Sequence, residues 1–134
     1  MNREYKKAGF TLVEMLVVIA IIGILSATVL TALGPARNKA KDARIISELN
    51  QIRAIAETVY DGSYASFNET QPEVVKAAAD ILKNGGNLQI KFSEGDLNFA
   101  AYSQLPSNNS SFYCVDSLGT AKEGAEPSDT GLCP

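Results

Sequence analysis

The sequence predicts an α+β protein in which a long N-terminal helix packs on a small C-terminal antiparallel β-sheet. Apolar residues dominate residues 10–34 and then recur at helical spacing to about residue 61, whereas from residue 88 they alternate with polar residues. A sheet laid over the apolar stripe of the helix is the simplest way to bury both faces. We therefore expect four segments: a leader (1–9), a transmembrane helix (10–34), an amphipathic helix (35–61) and an α+β head (62–134).

The first element is a helix long enough to span a membrane. Residues 15–33 contain no charged side chain. At about 1.5 Å per residue this run covers roughly 28 Å, close to the ~30 Å hydrocarbon thickness of a bilayer. A removable secretory signal is the alternative. However, the apolar region of such a signal is usually about 7–15 residues long and uncharged. This run is longer and carries Glu14 at its front edge.

The second element is an amphipathic helix that follows a possible break at Gly34-Pro35, since proline can kink a helix. If Pro35 only bends the chain, one helix extends over about residues 10–60. It should end at residues 61–63, where Asp-Gly-Ser supplies a C-terminal breaker. Its buried stripe should consist of Ile45, Leu49, Ile52, Ala56 and Val59.

The head should contain a short helix followed by three or four strands. Residues 70–73 have the pattern of a helix start, with an early proline and a Glu three residues after Thr70. We assign the buried face of this helix to Val75, Ala79 and Leu82. The strands are expected over residues 88–92, from residue 97 up to a turn at residues 106–109, and over residues 112–115, with a weaker hairpin from residue 117.

Charge is divided along the chain. Residues 34–53 carry a net charge of +3, from five basic and two acidic side chains, and residues 54–134 carry −7, from four basic and eleven acidic side chains. This acidic head is unlike a general nucleic-acid-binding surface, which needs clustered Lys and Arg. Basic residues are about equally frequent on the two sides of the span, so the positive-inside rule leaves the orientation open.

Two cysteines, Cys114 and Cys133, both follow the span. A disulfide between them would stabilise the fold by roughly 3 kcal/mol in the chain-entropy model. It would also place the C-terminal side in an oxidising compartment, outside the cytoplasm. The alternative is a pair of free thiols in a cytosolic domain.

We expect no catalysis and no cofactor. The chain has no His, and two cysteines are too few for a Cys-only zinc site. A calcium ion is possible near the C-terminus, but the acidic residues there do not have EF-hand spacing, and a solvated acidic tail is the favoured interpretation. The acidic residues in question are Asp116, Glu123, Glu126 and Asp129.

The N-terminus resembles the prepilin signature of the type IV pilin and pseudopilin family. The shared features are a short basic leader, Gly9, the run Phe-Thr-Leu-Val-Glu at residues 10–14, and a long apolar helix. The resemblance covers about the first 34 residues. The layout of helix, sheet and two C-terminal cysteines is also similar to the family, but it is far less specific.

This resemblance implies a role for several positions. A prepilin peptidase would cut between Gly9 and Phe10 on the cytoplasmic side of the membrane, and Phe10 would then be N-methylated. Glu14 would be the assembly glutamate, and Gly23 a position where the helix can unwind locally within a filament. Many family members have a proline about eight residues after that glycine, where this chain has Thr31.

Since that proline is missing, the flexible break is expected at Gly34 and Pro35 instead. The basic residues that follow have two interpretations, which remain open. They could contact lipid headgroups, or they could meet the acidic heads of neighbouring subunits in a filament. These residues are Arg37, Lys39, Lys41 and Arg44.

Physical chemistry gives Glu14 a purpose after cleavage. A carboxylate in a membrane span is costly, on the order of 3 kcal/mol near the centre and less near the ends. Cutting before Phe10 would create a cationic amine one helical turn from Glu14, on the same face. The amine could pair with Glu14 of its own chain or of a neighbour. The alternative is a Glu14 that only reaches the membrane edge.

The resemblance thus implies a structural subunit of a type IV pilus-like filament, with residues 10–34 in the filament core. The precursor would be a single-pass protein of the cytoplasmic membrane with its C-terminus outside, and the product a cell-surface filament. Its partners would be further copies of itself, a prepilin peptidase, and an assembly ATPase with its membrane platform. The alternatives are a major pseudopilin of type II secretion or competence, and a membrane-anchored binding module that does not polymerise.

Overall fold

The computed structural model describes residues 9–134, so most of the leader expected at residues 1–9 lies outside the described residues. The α+β fold class predicted from the sequence is confirmed. The chain divides between Gly34 and Pro35 into two compact units, which are described separately below. The elements are α1 (Leu12–Thr58), α2 (Pro72–Lys83), β1 (Gln89–Phe92), a 3-10 turn (Glu94–Asp96), β2 (Phe99–Leu105), β3 (Asn108–Asp116) and β4 (Ala121–Gly124).

Helix α1 contains 47 residues and includes Pro35 within it. Helical structure therefore continues past the Gly34-Pro35 position. In the first unit, all described side chains, those of residues 9–34, are exposed. This part of α1 has no core of its own within a single chain.

In the second unit, the predicted stripe of α1 forms the centre of the core. Ile45, Leu49, Ile52 and Ala56 are fully buried, and Val59 is partly buried. Their spacing of four, three and four residues places them on one face of the helix, as the sequence predicted. Burying a large aliphatic side chain contributes about 1.5–3 kcal/mol, so this stripe is a main source of the stability of the head.

The four strands form an antiparallel sheet in the order β1-β2-β3-β4. Because side chains alternate along a strand, the two faces carry different sets. Phe99, Ala101, Leu105 and Val115 pack in the core cluster that includes α1, whereas Ala100, Tyr102 and Cys114 form a second cluster. The register between Gln104 and Leu105 is irregular, next to the β2–β3 turn.

The buried face predicted for α2 was wrong. Val75 and Leu82 are 52% and 67% exposed, and Ala79 is also exposed. The buried residues are Val74, Ala77 and Ile81. Both sets have helical spacing, so the periodicity fits either face, and the packing of α2 in the head decides between them. The N-cap is Gln71 rather than Thr70, and it makes no side-chain capping hydrogen bond.

The loop between α1 and α2 is packed through aromatic rings. The ring of Tyr64 lies 4.8 Å from that of Phe99, and Phe67 lies 5.3 Å from Phe99 and 6.1 Å from Phe92. Edge-to-face and tilted pairs at such distances are favourable. Tyr64 and Phe67 are buried. The loop is therefore part of the core of the second unit.

Candidate assembly site

The N-terminus of α1 is closed by a reciprocal cap between Thr11 and Glu14. The Glu14 backbone N–H donates to Thr11 Oγ1 at 3.2 Å. In return, Glu14 Oε2 accepts hydrogen bonds from the Thr11 backbone N–H and from Thr11 Oγ1, both at 2.8 Å. This is a capping box, in which a Thr at the N-cap and a Glu at the third helical position satisfy each other. The carboxylate also lies in the first turn, where the helix dipole favours an anion.

Thr11 is a site residue that the sequence analysis did not single out. The signal was present as Thr-x-x-Glu directly before an apolar run, which is the sequence pattern of a capping box. Its effect is to hold the Glu14 carboxylate at the helix start. A fixed carboxylate has less freedom to lose when it meets a cationic partner.

The Gly9–Phe10 bond lies just before this cap. Helix α1 begins at Leu12, so both residues of the bond are outside regular secondary structure. The Phe10 side chain is 80% exposed, and a Cβ atom added to Gly9 would meet nothing within 4 Å. Gly9, Phe10 and Glu14 thus lie within six consecutive residues, and all three are exposed.

Helix α1 is also the one helix in the described part of the chain that is long and apolar enough to cross a membrane. Two polar side chains in its apolar part, Thr28 and Thr31, are compatible with an apolar surrounding. Thr28 Oγ1 donates to the Leu25 carbonyl oxygen at 2.8 Å, and Thr31 Oγ1 donates to the Thr28 carbonyl oxygen at 2.9 Å. These hydroxyl groups are satisfied within the helix and need no water.

Gly23 and Gly34 are both exposed, and an added Cβ would meet nothing within 4 Å at either position. No close contact in the described chain therefore requires glycine there. Their predicted role in helix flexibility, like that of Pro35, stays a prediction.

The second unit carries a disulfide between Cys114 on β3 and Cys133. It ties the C-terminal tail, residues 125–134, to the sheet. Cys133 packs in the cluster of Ala100 and Tyr102. At Gly131, with φ of +67°, an added Cβ would lie 2.6 Å from the Ser93 nitrogen, so the tail backbone passes very close to the β1–β2 turn. Only glycine fits both this conformation and this contact.

Asp116 anchors the same tail from inside the protein. Its Oδ1 accepts hydrogen bonds from the backbone N–H groups of Leu118 and Thr120, and its Oδ2 accepts one from Cys133. The residue is 1% exposed. Three backbone donors therefore satisfy a buried carboxylate that would otherwise be costly to bury.

Lys91 on β1 contacts the tail from the other side. Its Nζ donates to the Pro127 carbonyl oxygen at 2.8 Å and lies 3.2 Å from Asp129 and 3.8 Å from Glu126. The hydrogen bond to Asp129 raises the pKa of Lys91. Burial is the largest cause that raises the pKa of Tyr102, whose hydroxyl group lies 3.0 Å from Glu126.

The acidic residues considered for calcium do not converge. Asp116 is engaged by backbone amides, whereas Glu126 and Asp129 face Lys91. Over residues 9–134, no group of three or more His, Cys, Asp or Glu side chains is arranged to hold a metal ion. The described arrangement of the tail is therefore one of ion pairs and a disulfide.

Comparisons with known proteins agree with the N-terminal geometry. Residues 5–30 match the family described as the prokaryotic N-terminal methylation motif. The chain is 42% identical over 78 residues to fimbrial protein Q of Moraxella bovis, covering 58% of this chain and 46% of that protein. It is 30% identical over 91 residues to a fimbrial protein of Pseudomonas aeruginosa, covering 64% and 59%. It is 37% identical over 73 residues to fimbrial protein EcpB of Eikenella corrodens, covering 54% and 46%.

The chain spans about half the length of these curated relatives. No solved structure matches. The methylation motif coincides with the capped start of α1 and its exposed apolar surface, and the same chain carries a small disulfide-linked α+β head. In this combination the chain is similar to the fimbrial proteins named above, and the matched motif lies at its N-terminus.

Proposed function

We propose that this protein is the structural subunit of a type IV pilus-like filament. The observation that carries the proposal is the start of α1. There, a single carboxylate is held in the first turn of a helix whose apolar side chains are exposed over residues 9–34. Such a surface needs either lipid or the same surface of other subunits around it. A membrane-held precursor that later polymerises uses both environments in turn.

In this proposal, a prepilin peptidase removes residues 1–9 and Phe10 becomes a methylated N-terminus. The new amine remains cationic at neutral pH. Glu14 then offers the complementary charge, either within its own chain or to the amine of the next subunit. An uncut chain has only a peptide nitrogen at Phe10, so it cannot supply this charge. In this proposal, cleavage is therefore required before the subunit can assemble.

The proposed role of the head is to form the outer surface of the filament. Its disulfide supports an extracytoplasmic location for the C-terminal side. Within the family resemblance, a closed Cys114–Cys133 loop favours a pilus subunit over a secretion pseudopilin. The proposed partners are further copies of the chain, the peptidase, and an assembly ATPase with its membrane platform, which would extract the subunit from the membrane.

The first experiment is to express the full chain with its cognate prepilin peptidase and to measure the intact mass. The expected species begins at Phe10, is heavier by one methyl group (about 14 Da) and is lighter by two hydrogens for the disulfide. The same chain expressed without the peptidase gives the unprocessed reference. A full-length chain that persists beside an active peptidase would instead favour the membrane-anchored binding module.

A further inference from the structure

A basic segment begins shortly after the apolar part of α1. Arg37, Lys39 and Lys41, which we call the basic collar, are all exposed. They follow Leu33, the last residue of the uncharged run, by four, six and eight residues. In a helix this spacing corresponds to roughly 6–12 Å. The headgroup region of a bilayer extends about 5–8 Å beyond each side of the hydrocarbon, within reach of long basic side chains.

The acidic residue within this segment does not neutralise the collar. Asp42 is only 8% exposed, and its Oδ1 accepts a hydrogen bond from the Ser107 backbone N–H at 3.1 Å. The carboxylate is therefore turned toward the β2–β3 turn and away from solvent. The sequence alone shows a mixture of charges here, whereas the structure leaves only the positive ones on the surface.

The next basic residue behaves differently from the collar. Arg44 is paired with Asp80 of α2 at 3.1 Å. In the described part of the chain, Arg37, Lys39 and Lys41 have no such ion pair. Arg44 therefore forms an ion pair within the head, whereas the three cations of the collar remain available to an external partner.

The collar surrounds the helix instead of marking one face of it. At about 100° per residue, Lys41 lies about 40° from Arg37, but Lys39 lies about 160° from Arg37 on the opposite side. A protein surface packed on one face of the helix cannot contact all three side chains. A layer of headgroups that surrounds the helix can do so.

We propose that the basic collar binds the phosphate groups of anionic phospholipids, in the leaflet on the C-terminal side of the span. The proposal rests on the membrane-held precursor of the proposed function. Residues 54–134 carry a net charge of −7, and an anionic membrane surface would repel them. The collar supplies the attraction that offsets this repulsion and fixes the depth at which α1 leaves the bilayer.

The test uses the full chain, with its disulfide formed, in nanodiscs of phosphatidylcholine alone or mixed about 7:3 with phosphatidylglycerol. A nitroxide is attached at Ala40→Cys, an exposed position within the collar. Paramagnetic resonance then reports how accessible the label is to a neutral nickel chelate. We expect accessibility to fall severalfold when phosphatidylglycerol is present, and to recover at about 0.5 M NaCl because the salt screens the attraction.

The collar variant, Arg37→Gln with Lys39→Gln and Lys41→Gln, should lose this dependence on lipid charge. The control removes the same charge from three exposed lysines of the head, as Lys76→Gln with Lys83→Gln and Lys122→Gln. It should retain the dependence. The leader is present in all variants, so its charges do not contribute to the difference.

Each failure has its own signature. A chain that does not elute with nanodiscs contradicts the membrane-held precursor itself. A chain that inserts but shows equal accessibility in both lipids, or loses the effect equally in the control, overturns the collar proposal alone. Protection that requires two copies per nanodisc and ignores lipid charge also overturns it, because the collar would then bind the acidic head of a second copy.

Discussion

At the residue scale, Thr11 and Glu14 are the smallest unit on which the proposed assembly depends. Glu14 Oε2 receives two hydrogen bonds from one residue, and Thr11 Oγ1 in turn receives the Glu14 amide. Glu14 is thus both a helix cap and the one charged group at the start of an apolar surface. A change at Thr11 alters the placement of this charge without removing it.

Replacing Thr11 by Ala should loosen the first turn of α1 and lower filament yield while leaving membrane insertion intact. Losing an N-cap hydroxyl costs about 1 kcal/mol, which corresponds to roughly fivefold faster amide hydrogen exchange at Glu14. The measurement is exchange of the full chain in detergent together with quantification of sheared filaments. Thr11→Ser keeps the hydroxyl and should behave as wild type; equal exchange in all three proteins would refute the capping role.

Three residues that hold the head together were not identified from the sequence. Asp42, Lys91 and Asp116 contact groups that lie 65, 36 and 17 positions away. Each looks like an ordinary surface charge in its local context. The pairing of such residues depends on tertiary structure, which periodicity cannot supply. By contrast, the Thr11–Glu14 contact spans only three residues, so the local sequence pattern was sufficient to predict it.

The raised pKa of Tyr64 predicts how the stability of the head changes at alkaline pH. Burial, followed by its hydrogen bond to Glu57 at 2.8 Å, raises the pKa of Tyr64 to about 12. A folded-state pKa above the unfolded value means that this contribution to stability is complete below about pH 10 and is lost as the pH rises through about 12. The thermal midpoint of the full chain in detergent should therefore fall over this range.

The Tyr64→Phe exchange keeps the ring against Phe99 and removes the titrating hydroxyl. It should lower stability at neutral pH by about 1 kcal/mol, the usual contribution of one hydrogen bond, and should flatten the alkaline decrease. Tyr60→Phe is the control, since Tyr60 is about half exposed and should leave the pH dependence in place. A Tyr64→Phe protein with the wild-type pH profile would contradict this assignment.

At the element scale, the sequence predicted the secondary structure of each segment more reliably than it predicted which face of the segment is buried. The stripe of α1 was predicted correctly because one face of that helix is apolar and the other is charged. Helix α2 has two apolar sets that both have helical spacing, Val74/Ala77/Ile81 and Val75/Ala79/Leu82, so the periodicity does not distinguish the buried face. The strands were located, and β2 ends at Leu105, directly before Pro106, as the sequence predicted. Strand β3 begins at Asn108, four residues earlier than predicted, because it continues through polar residues next to the turn.

Neighbouring residues of α2 provide a direct test of its orientation. Ile81 is fully buried, whereas the adjacent Leu82 is 67% exposed. Ile81→Ala should lower the free energy of unfolding by about 2–5 kcal/mol, and Leu82→Ala should change it by less than about 0.5 kcal/mol. Urea unfolding of the full chain in detergent measures both. Comparable losses in the two variants would mean that Leu82 is buried in the folded head.

The C-terminal tail is the element that depends most on a covalent link. It covers a small cluster around Tyr102 and Cys114, and it is held by the disulfide, Asp116 and Lys91. Replacing both cysteines by Ser should lower stability by about 3 kcal/mol, mainly because the unfolded chain is no longer restricted. Lys91→Met, with the disulfide kept, should make the tail more sensitive to proteolysis. It should lower the free energy of unfolding by less than the loss of the disulfide does, since the ion pairs of Lys91 lie near the surface.

At the scale of the whole molecule, the two units have opposite requirements for their surroundings. The second unit buries its own apolar residues, whereas the described residues of the first unit expose theirs. In the proposed filament, contacts between such surfaces on successive copies would be heterologous, and heterologous contacts that do not close produce open helical filaments. Only the proposed pairing of the Phe10 amine with Glu14 makes the order of subunits specific, because apolar packing alone is non-directional.

Mixed filaments distinguish pairing between subunits from pairing within a subunit. A processed Glu14→Gln subunit has an amine but no carboxylate, so it can satisfy only one of its two neighbours. If the pairs join adjacent subunits, co-expression with wild type should give shorter filaments, and their mean length should fall as the share of the variant rises. If each subunit pairs its own amine and carboxylate, the variant should simply be excluded and filament length should be unchanged.

Electron microscopy of sheared filaments gives the lengths, and mass spectrometry gives the share of the variant that is incorporated. A Glu48→Gln subunit, which loses the same charge in the second unit, controls for net charge. We expect shortening with Glu14→Gln alone, because a carboxylate fixed by Thr11 at an exposed helix start is placed to meet a partner outside its own chain.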